Sequence, residues 1–421
     1  MSADFELFPT GAVPTGEGEP LEWGPDKSCE IDSTLDPWLS TLGQPAPQVV
    51  DLVRVAVAGY VADRRTKRRS LPRNIRLVVH MVRPDLQSSE SIALASDVLG
   101  FLTGDNWSIK PVQDLSTGPE PCEIEPVLTE DVALLSGGLD SFAHAAAICA
   151  TGSSASTVFV SHLSNPMTVR AQNACVDYLR SVAADGRYCS IRLRHRTPKD
   201  ELTNHSRSLL FMMLGVAVAD GLGAKSVLVP ENGFTSLNVP LSPNRQGRYS
   251  TRSTHPYTFH QLSRLLRLLG VSVSVSNPYE WETKGQMVSR AWDVGGDAFT
   301  EVAAKTLSCG KLDGYRYGGG NANIGCGLCY ACLVRRAAFL SAGMKDDTPY
   351  LMDTLRGASN VDLLTRRAED MRAVRHAVRM GVDEDGLLAN TPLPPQFDLD
   401  RALGLWKNGL DELAALELPL G

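Results

Sequence analysis

From Asp131 to about residue 283 the chain alternates short β-type runs with longer helical ones, and this alternation restricts the fold more than any other feature. "DVALL" (131–135) precedes a helical stretch over 140–150, "TVFVSHL" (157–163) one over 166–184, and "YCSIRLR" (188–194) one over 205–221. "SVLVP" (226–230) leads through a loop to a helix over 256–269, and "VSVSVS" (271–276) leads to another from about 283. Units of this length need right-handed crossovers, which lay the strands parallel in one sheet and put helices on both faces. The predicted class is α/β, a doubly wound parallel sheet, and ligands of such sheets bind at the carboxyl ends of the strands.

The flanking segments read differently. Residues 1–46 are rich in Pro, Gly and acids, which predicts an extended or partly disordered arm, with Trp23 and Trp38 docking part of it. Over 47–126 the pattern is a small α/β unit: a helix from "PQVVDLVRVAVAGYVAD", a strand at 73–82, a helix over roughly 89–102, a strand at "NWSIKPV", and a linker at 116–126. Within it "DRRTKRR" (63–69) is read as a solvated loop, and the sharper alternative is a contact for an acidic partner. Residues 344–421 are helical with a break at "TPLPPQ" (391–396), a packing layer without a motif.

At 421 residues the chain has material for two or three domains, and 43% hydrophobic with 21% charged residues is ordinary for a soluble globular protein. A net charge of −7 argues against a broad grip on nucleic acid. No apolar run approaches the roughly 20 residues that span a bilayer, and the N-terminus lacks a secretion signal, so the expectation is a cytoplasmic protein without a membrane partner. Five of nine cysteines (Cys29, Cys122, Cys149, Cys175, Cys189) are scattered singly, as suits reduced, buried thiols.

Ser136, Gly137, Gly138, Leu139, Asp140 and Ser141 stand between the first strand of the series and its helix. Two glycines let the backbone approach a ligand, and a helix N-terminus offers unpaired N–H groups to an anion. The serines add hydroxyls, while Asp140 can cap the helix or hold a divalent metal against phosphate oxygens. The stretch lacks the lysine of GxxxxGK[ST] and does not fit GxGxxG. An ordinary capped turn is the bland alternative, and the placement on the first βα unit argues for a phosphate site. "SGGLDS" resembles the pyrophosphate loop of the ATP-pyrophosphatase (PP-loop) superfamily. That resemblance implies that the loop holds a leaving pyrophosphate while AMP passes to a substrate oxygen.

Further on, Cys309, Cys326, Cys329 and Cys332 are spaced C-x16-C-x2-C-x2-C. Four thiolates close a tetrahedral coordination shell, which points to structural zinc, with an iron–sulfur cluster or metal-free redox thiols as the competing readings. A four-cysteine site beyond a PP-loop domain is similar to the 7-cyano-7-deazaguanine synthase family, known as QueC. The resemblance covers about 130–340 and implies a catalytic domain over 127–343 with its zinc site at 309–332. "SRSLLFMM" resembles the family's Arg-containing helix start, which puts Arg207 and Ser208 toward the phosphates. "ETKGQM" resembles its lysine segment, which makes Lys284 a candidate for stabilising charge at the α-phosphate, and "PENGFTSLNVPL" makes Glu231 and Asn232 candidates for substrate or metal contact.

What the resemblance implies is an ATP-dependent C–N ligase using ATP, Mg²⁺ and Zn²⁺ on 7-carboxy-7-deazaguanine or a relative. The stretch "GYRYGGGNANIG", the segment "QGRYSTRSTHPYTF" (246–259) and the added N-terminal unit depart from the family pattern. These departures look most like QueC-like proteins of bacterial anti-phage systems, the Qat system first and cyclic-nucleotide-based defence second. The acceptor is then either ammonia, as in a 7-cyano-7-deazaguanine synthase, or an amine of a partner protein from the same operon, for which the added N-terminal unit and the altered loop would give docking surface. A tRNA-thiolating PP-loop enzyme and an inactive nucleotide-binding module are the readings from other classes.

Overall fold

The computed structural model describes residues 2–68, 72–115, 128–196, 205–241, 252–311, 313–321, 324–353, 355, 360–390 and 392–418. The predicted linker at 116–126, Cys122, Arg69 and residues 246–251 of "QGRYSTRSTHPYTF" lie outside them.

The first residues differ from the expected arm. They form β1 (Ser2–Pro9), β2 (Glu19–Gly24), β3 (Ile31–Ser33) and α1 (Leu35–Leu42). One cause is Glu6, fully buried in β1, whose carboxylate accepts from the backbone N–H groups of Thr15 (2.5 Å) and Gly16 (2.9 Å) and meets His80 Nε2 at 2.8 Å. Those bonds fold the Gly/Pro-rich connection back so that β1 and β2 pair in parallel. Polarity there serves a buried network, which compositional reading scores as disorder. Trp38 docks as expected, its indole N–H donating to Ser190 O at 2.9 Å.

Next come α2 (Pro47–Arg65), β4 (Asn74–Met81), α3 (Ser89–Thr103) and β5 (Asn106–Gln113). The alternating series follows as β6 (Asp131–Leu134), α4 (Leu139–Ala150), β7 (Thr157–Leu163), α5 (Pro166–Val182), β8 (Arg187–His195) and α6 (Arg207–Leu222). It continues through β9 (Ser226–Leu228), the short α7 (Gly233–Ser236), α8 (Pro256–Leu268), β10 (Ser274–Ser276) and α9 (Lys284–Ala303). Every predicted strand and helix of the series is present. The remainder is α10 (Tyr330–Ser341), α11 (Val361–Met380), α12 (Glu384–Asn390) and α13 (Leu399–Ala414).

The strands form one ten-stranded sheet in the order β10-β9-β6-β7-β8-β3-β2-β1-β4-β5. Every neighbouring pair is parallel except β3 and β8, which join antiparallel through Ile31↔His195 and Ser33↔Leu193. The N-terminal unit therefore extends the sheet of the alternating series. Residues of α2, α3, α6 and α8 share one apolar core with strands from both halves. On the opposite face α4, α5 and α9 pack together, with Phe142 and Phe299 stacked at 5.1 Å. A third core gathers the clustered cysteines with α10, α11 and α13. In the sheet order β6 is flanked by β7 and β9, so the chain reverses direction beside β6, where α/β sheets open a crevice for ligands. Among the described residues no helix is long and apolar enough to cross a membrane.

Candidate active site

At that reversal the strand β6 ends and the loop 136–141 begins. Gly137 has φ +83°, a left-handed conformation, and a Cβ there would meet Gln172 at 3.0 Å, so glycine is required on both counts. The two predicted serines hold the loop's shape. Ser141 Oγ accepts from Ser136 N (3.1 Å) and donates to Gly138 O (3.0 Å), and Ser136 Oγ accepts from Gly138 N (3.2 Å). Gly138 is the N-cap of α4, which leaves the first N–H groups of that helix, from Leu139 onward, at the loop's open side. Leu307 N donates to Gly137 O at 2.9 Å and braces the loop from a distant segment.

A cleft of about 340 Å³ opens here. Its walls include Ser136, Gly138, Leu139, Asp140, Ser141, Glu231 and Lys284 from the predicted set. Lys284 arrives because Thr283 caps α9 and forms a capping box with Gln286, which fixes the lysine in the first turn of the helix. Its ammonium is ion-paired with Asp140. Glu231 and Asn232 arrive from the loop after β9. Asn232 is fully buried, and its side chain donates to Asp140 Oδ2 (2.8 Å) and Glu231 Oε1 (3.0 Å) while capping α7 at Thr235 N (3.0 Å). It therefore positions both carboxylates from behind the cleft wall.

The carboxylates are electrostatically opposed. Burial disfavours the charged form of Asp140, but the Lys284 ammonium and hydrogen bonds from Glu231, Lys284 and Asn232 hold its pKa far below the usual carboxylate range. Burial, then repulsion and hydrogen bonding by Asp140, push Glu231 well above it. A divalent cation at this pair would displace the proton from Glu231 and leave two carboxylates to hold it against phosphate oxygens.

Arg207 and Ser208 are not among the residues lining this cleft. They open α6, where Ser208 Oγ donates to His205 O at 3.4 Å and Arg207 stands near Tyr60 and Arg64 of α2. Pro230, Thr235, Thr254, Leu307, Ser308, Gly310, Tyr330, Ala331 and Val334 complete the cleft. Sequence reasoning missed those from 307 onward because no local signal joins segments so far apart.

The four predicted cysteines converge. Their sulfurs lie within 4.8 Å of one another, at 3.8 Å (Cys309–Cys326 and Cys309–Cys329), 4.0 Å (Cys326–Cys332) and 3.4 Å (Cys329–Cys332). A thiolate tetrahedron with metal–sulfur bonds of about 2.3 Å has edges of about 3.8 Å, so the set fits zinc and leaves no open position. Cys329 N donates to Cys326 Sγ at 3.2 Å, which orients that ligand. Gly310 and the start of α10, both beside these ligands, line the cleft, so the cluster braces its wall.

Residues 191–343 match the family model described as Queuosine biosynthesis protein QueC. The match takes in Glu231, Lys284 and the four cysteines, and begins beyond the 136–141 loop that Asp140 joins to it. Among curated proteins the chain is 27% identical over 148 residues to the 7-cyano-7-deazaguanine synthase of Thiobacillus denitrificans, covering 34% of this chain and 57% of that protein. It is 28% identical over 148 residues to that of Magnetococcus marinus (34% and 56%) and 26% over 148 residues to that of Aromatoleum aromaticum (34% and 56%). The chain spans little more than half the length of the curated relatives it matches.

Proposed function

We propose that this protein is a QueC-like ATP-dependent ligase that adenylates the carboxylate of a 7-deazaguanine acid and transfers the acyl group to an amine. The observation that carries the reading is one cleft holding a strand-to-helix loop with helix N–H groups at its open side, a carboxyl pair and a buried lysine. The amides from Leu139 onward receive the β- and γ-phosphates, which leaves the α-phosphorus toward Lys284. A carboxylate oxygen of the acid attacks that phosphorus, the bond to the β-phosphate oxygen breaks, and pyrophosphate leaves. Lys284 offsets the charge that builds on the phosphorus oxygens. Asp140 and Glu231 are the residues that would hold Mg²⁺, which supplies charge neutralisation on the phosphates. The acyl-AMP is then open to an amine, with AMP departing and an amide formed.

With ammonia as acceptor, a second adenylation of the amide oxygen and loss of AMP gives the nitrile. With a protein amine the amide persists and joins the base to a polypeptide. The N-terminal unit fused into the sheet supports the second version, because a protein acceptor needs docking surface, and we propose bacterial anti-phage defence as the setting on the sequence resemblance alone. A tRNA-thiolating enzyme would need a reactive thiol near the loop. Cys149, the cysteine on α4, is buried, and burial with nearby Asp185 pushes its thiol up to about 11. Mass spectrometry of the small-molecule pool and of intact co-expressed operon partners, with wild type and Asp140→Ala, separates the outcomes. A partner gaining the base's mass only with wild type supports the protein acceptor, nitrile alone supports ammonia, and neither product contradicts the ligase.

A further inference from the structure

Arg401, Leu405, Gly409 and Glu412 of α13 fall at i, i+4, i+8 and i+11, a spacing that puts them on one stripe of the helix. Each meets one of the two loops that carry polar residues into the cleft. The Arg401 guanidinium lies over the Trp281 ring, 4.7 Å from its centre. Leu405 Cδ2 would lie 2.8 Å from a Cβ on Gly233, and Gly409 has no side chain because the Phe234 ring occupies its place. Glu412 accepts from Thr283 Oγ1 and, at 3.3 Å, from Gly285 N. The two loops are tied to each other by Gly233 N, which donates to Glu282 O at 2.7 Å. One helix face therefore borders both the segment that delivers Glu231 and Asn232 and the segment that delivers Lys284.

The contact made by Glu412 is the one beside the lysine. The first turn of a helix has backbone N–H groups without partners inside it. In α9 Thr283 Oγ1 takes that of Gln286 at 3.3 Å, and Glu412 takes that of Gly285 while also accepting from the Thr283 hydroxyl. Lys284 stands between these two donors. A Cβ on Gly285 would run into the Glu412 carboxyl, so the residue after Lys284 is a glycine that admits it. Both carboxyl oxygens accept, and a carboxylate at a helix N-terminus is favoured by the helix dipole. Burial pushes the Glu412 carboxyl up, against the bonds from Thr283 and Gly285 and the charge of Lys284. Lys284 is ion-paired with Asp140, and on the adenylation reading it meets phosphate oxygens instead. Its backbone must then stay fixed while its ammonium changes partner.

We propose that Glu412 is a positioning residue for Lys284, and that α13 is through it a working part of the adenylating cleft. This rests on the adenylation reading. It carries that reading past the matched segment 191–343, which ends before α13 begins.

The test is ATP–pyrophosphate exchange dependent on 7-carboxy-7-deazaguanine, read beside calorimetric ATP affinity and melting temperature, for the full chain as wild type, Glu412→Ala, Glu412→Gln and Leu413→Ala. Leu413, 2% exposed in the C-terminal core, controls for a loosened α13 alone. Glu412→Ala should cut the maximal exchange rate about tenfold or more, the effect of a misplaced catalytic group, while ATP affinity stays within about threefold because the loop amides are unchanged. Glu412→Gln keeps an oxygen that can accept and should recover the rate to within about threefold of wild type. Leu413→Ala should melt lower than wild type yet keep exchange within about twofold. Wild-type exchange in Glu412→Ala, or an equal loss in Leu413→Ala, overturns the inference and leaves the adenylation reading standing. A fall in ATP affinity that matches the fall in rate also overturns it, since the whole cleft would then have loosened. Wild-type protein that binds ATP but shows no acid-dependent exchange removes the adenylation reading and this inference together.

Discussion

Asp140 and Glu231 share one lysine, and a single ammonium cannot compensate two carboxylates in a partly dry cleft. The proton that burial and Asp140 force onto Glu231 is therefore a cost the fold carries for the sake of the site. A carboxyl whose folded-state pKa is raised keeps its proton in the folded chain when the unfolded chain has lost it. Stability accordingly falls as pH climbs from the ordinary glutamate range toward the raised value. Glu231→Gln keeps an oxygen to accept from Asn232 Nδ2 and Thr235 Oγ1 and removes the titration. Without metal, it should flatten that decline and gain stability on the order of 1 kcal/mol at neutral pH, one pKa unit's worth. Thermal unfolding against pH checks this, and the same variant should lose Mg²⁺-dependent catalysis. A wild-type pH profile in Glu231→Gln would mean that the carboxyl is not strained. Much of this was legible. The serines, glycines and Asp140 lie consecutively beside a strand end, so local sequence specifies their geometry, and the Thr283–Gln286 capping box places Lys284 at a helix start. That Asn232 is a buried organiser, and that Arg207 is turned toward α2, depends on packing between distant segments that no local pattern encodes.

At the scale of elements, the cysteine cluster and the loop 136–141 are joined by one short strap. Arg335, on α10 one turn after Cys332 and 1% exposed, donates from Nη1 to Thr306 Oγ1 (2.8 Å) and Ser308 Oγ (2.9 Å), and from Nε to Thr348 Oγ1 (2.9 Å). The strap between those residues carries Leu307, which holds Gly137. Arg335 has only neutral partners among the described residues, and a zinc ion bound by four thiolates would supply a neighbouring net negative charge. Cys329→Ser should strip the metal and destabilise the C-terminal core by several kcal/mol. Because the strap loosens, ATP affinity should fall with the metal. Metal analysis beside ATP titration checks the pair, and unchanged ATP affinity in metal-free protein would uncouple the two sites. From the other side α13 reaches the same machinery. Glu412 accepts from Thr283 Oγ1 and, at 3.3 Å, from Gly285 N, and a Cβ on Gly409 would lie 2.3 Å from the Phe234 ring. The sequence offers α13 only as an amphipathic packing layer, because Phe234, Thr283 and Gly285, which it meets here, lie more than a hundred residues away.

For the whole molecule the decisive feature is the antiparallel join of β3 to β8, which makes one sheet and one shared core of two sequence units. The βα series was readable because each unit repeats a local period. The join was not, because β3 is three residues long and its stability comes from the strand it borders. The central claim is that the cleft at the loop 136–141 activates a carboxylate by adenylation. ATP–pyrophosphate exchange dependent on 7-carboxy-7-deazaguanine tests it most directly: label should enter ATP with the acid present, and Lys284→Met should slow exchange by about a hundredfold or more. Equal exchange with and without the acid, or wild-type exchange in Lys284→Met, would contradict the account.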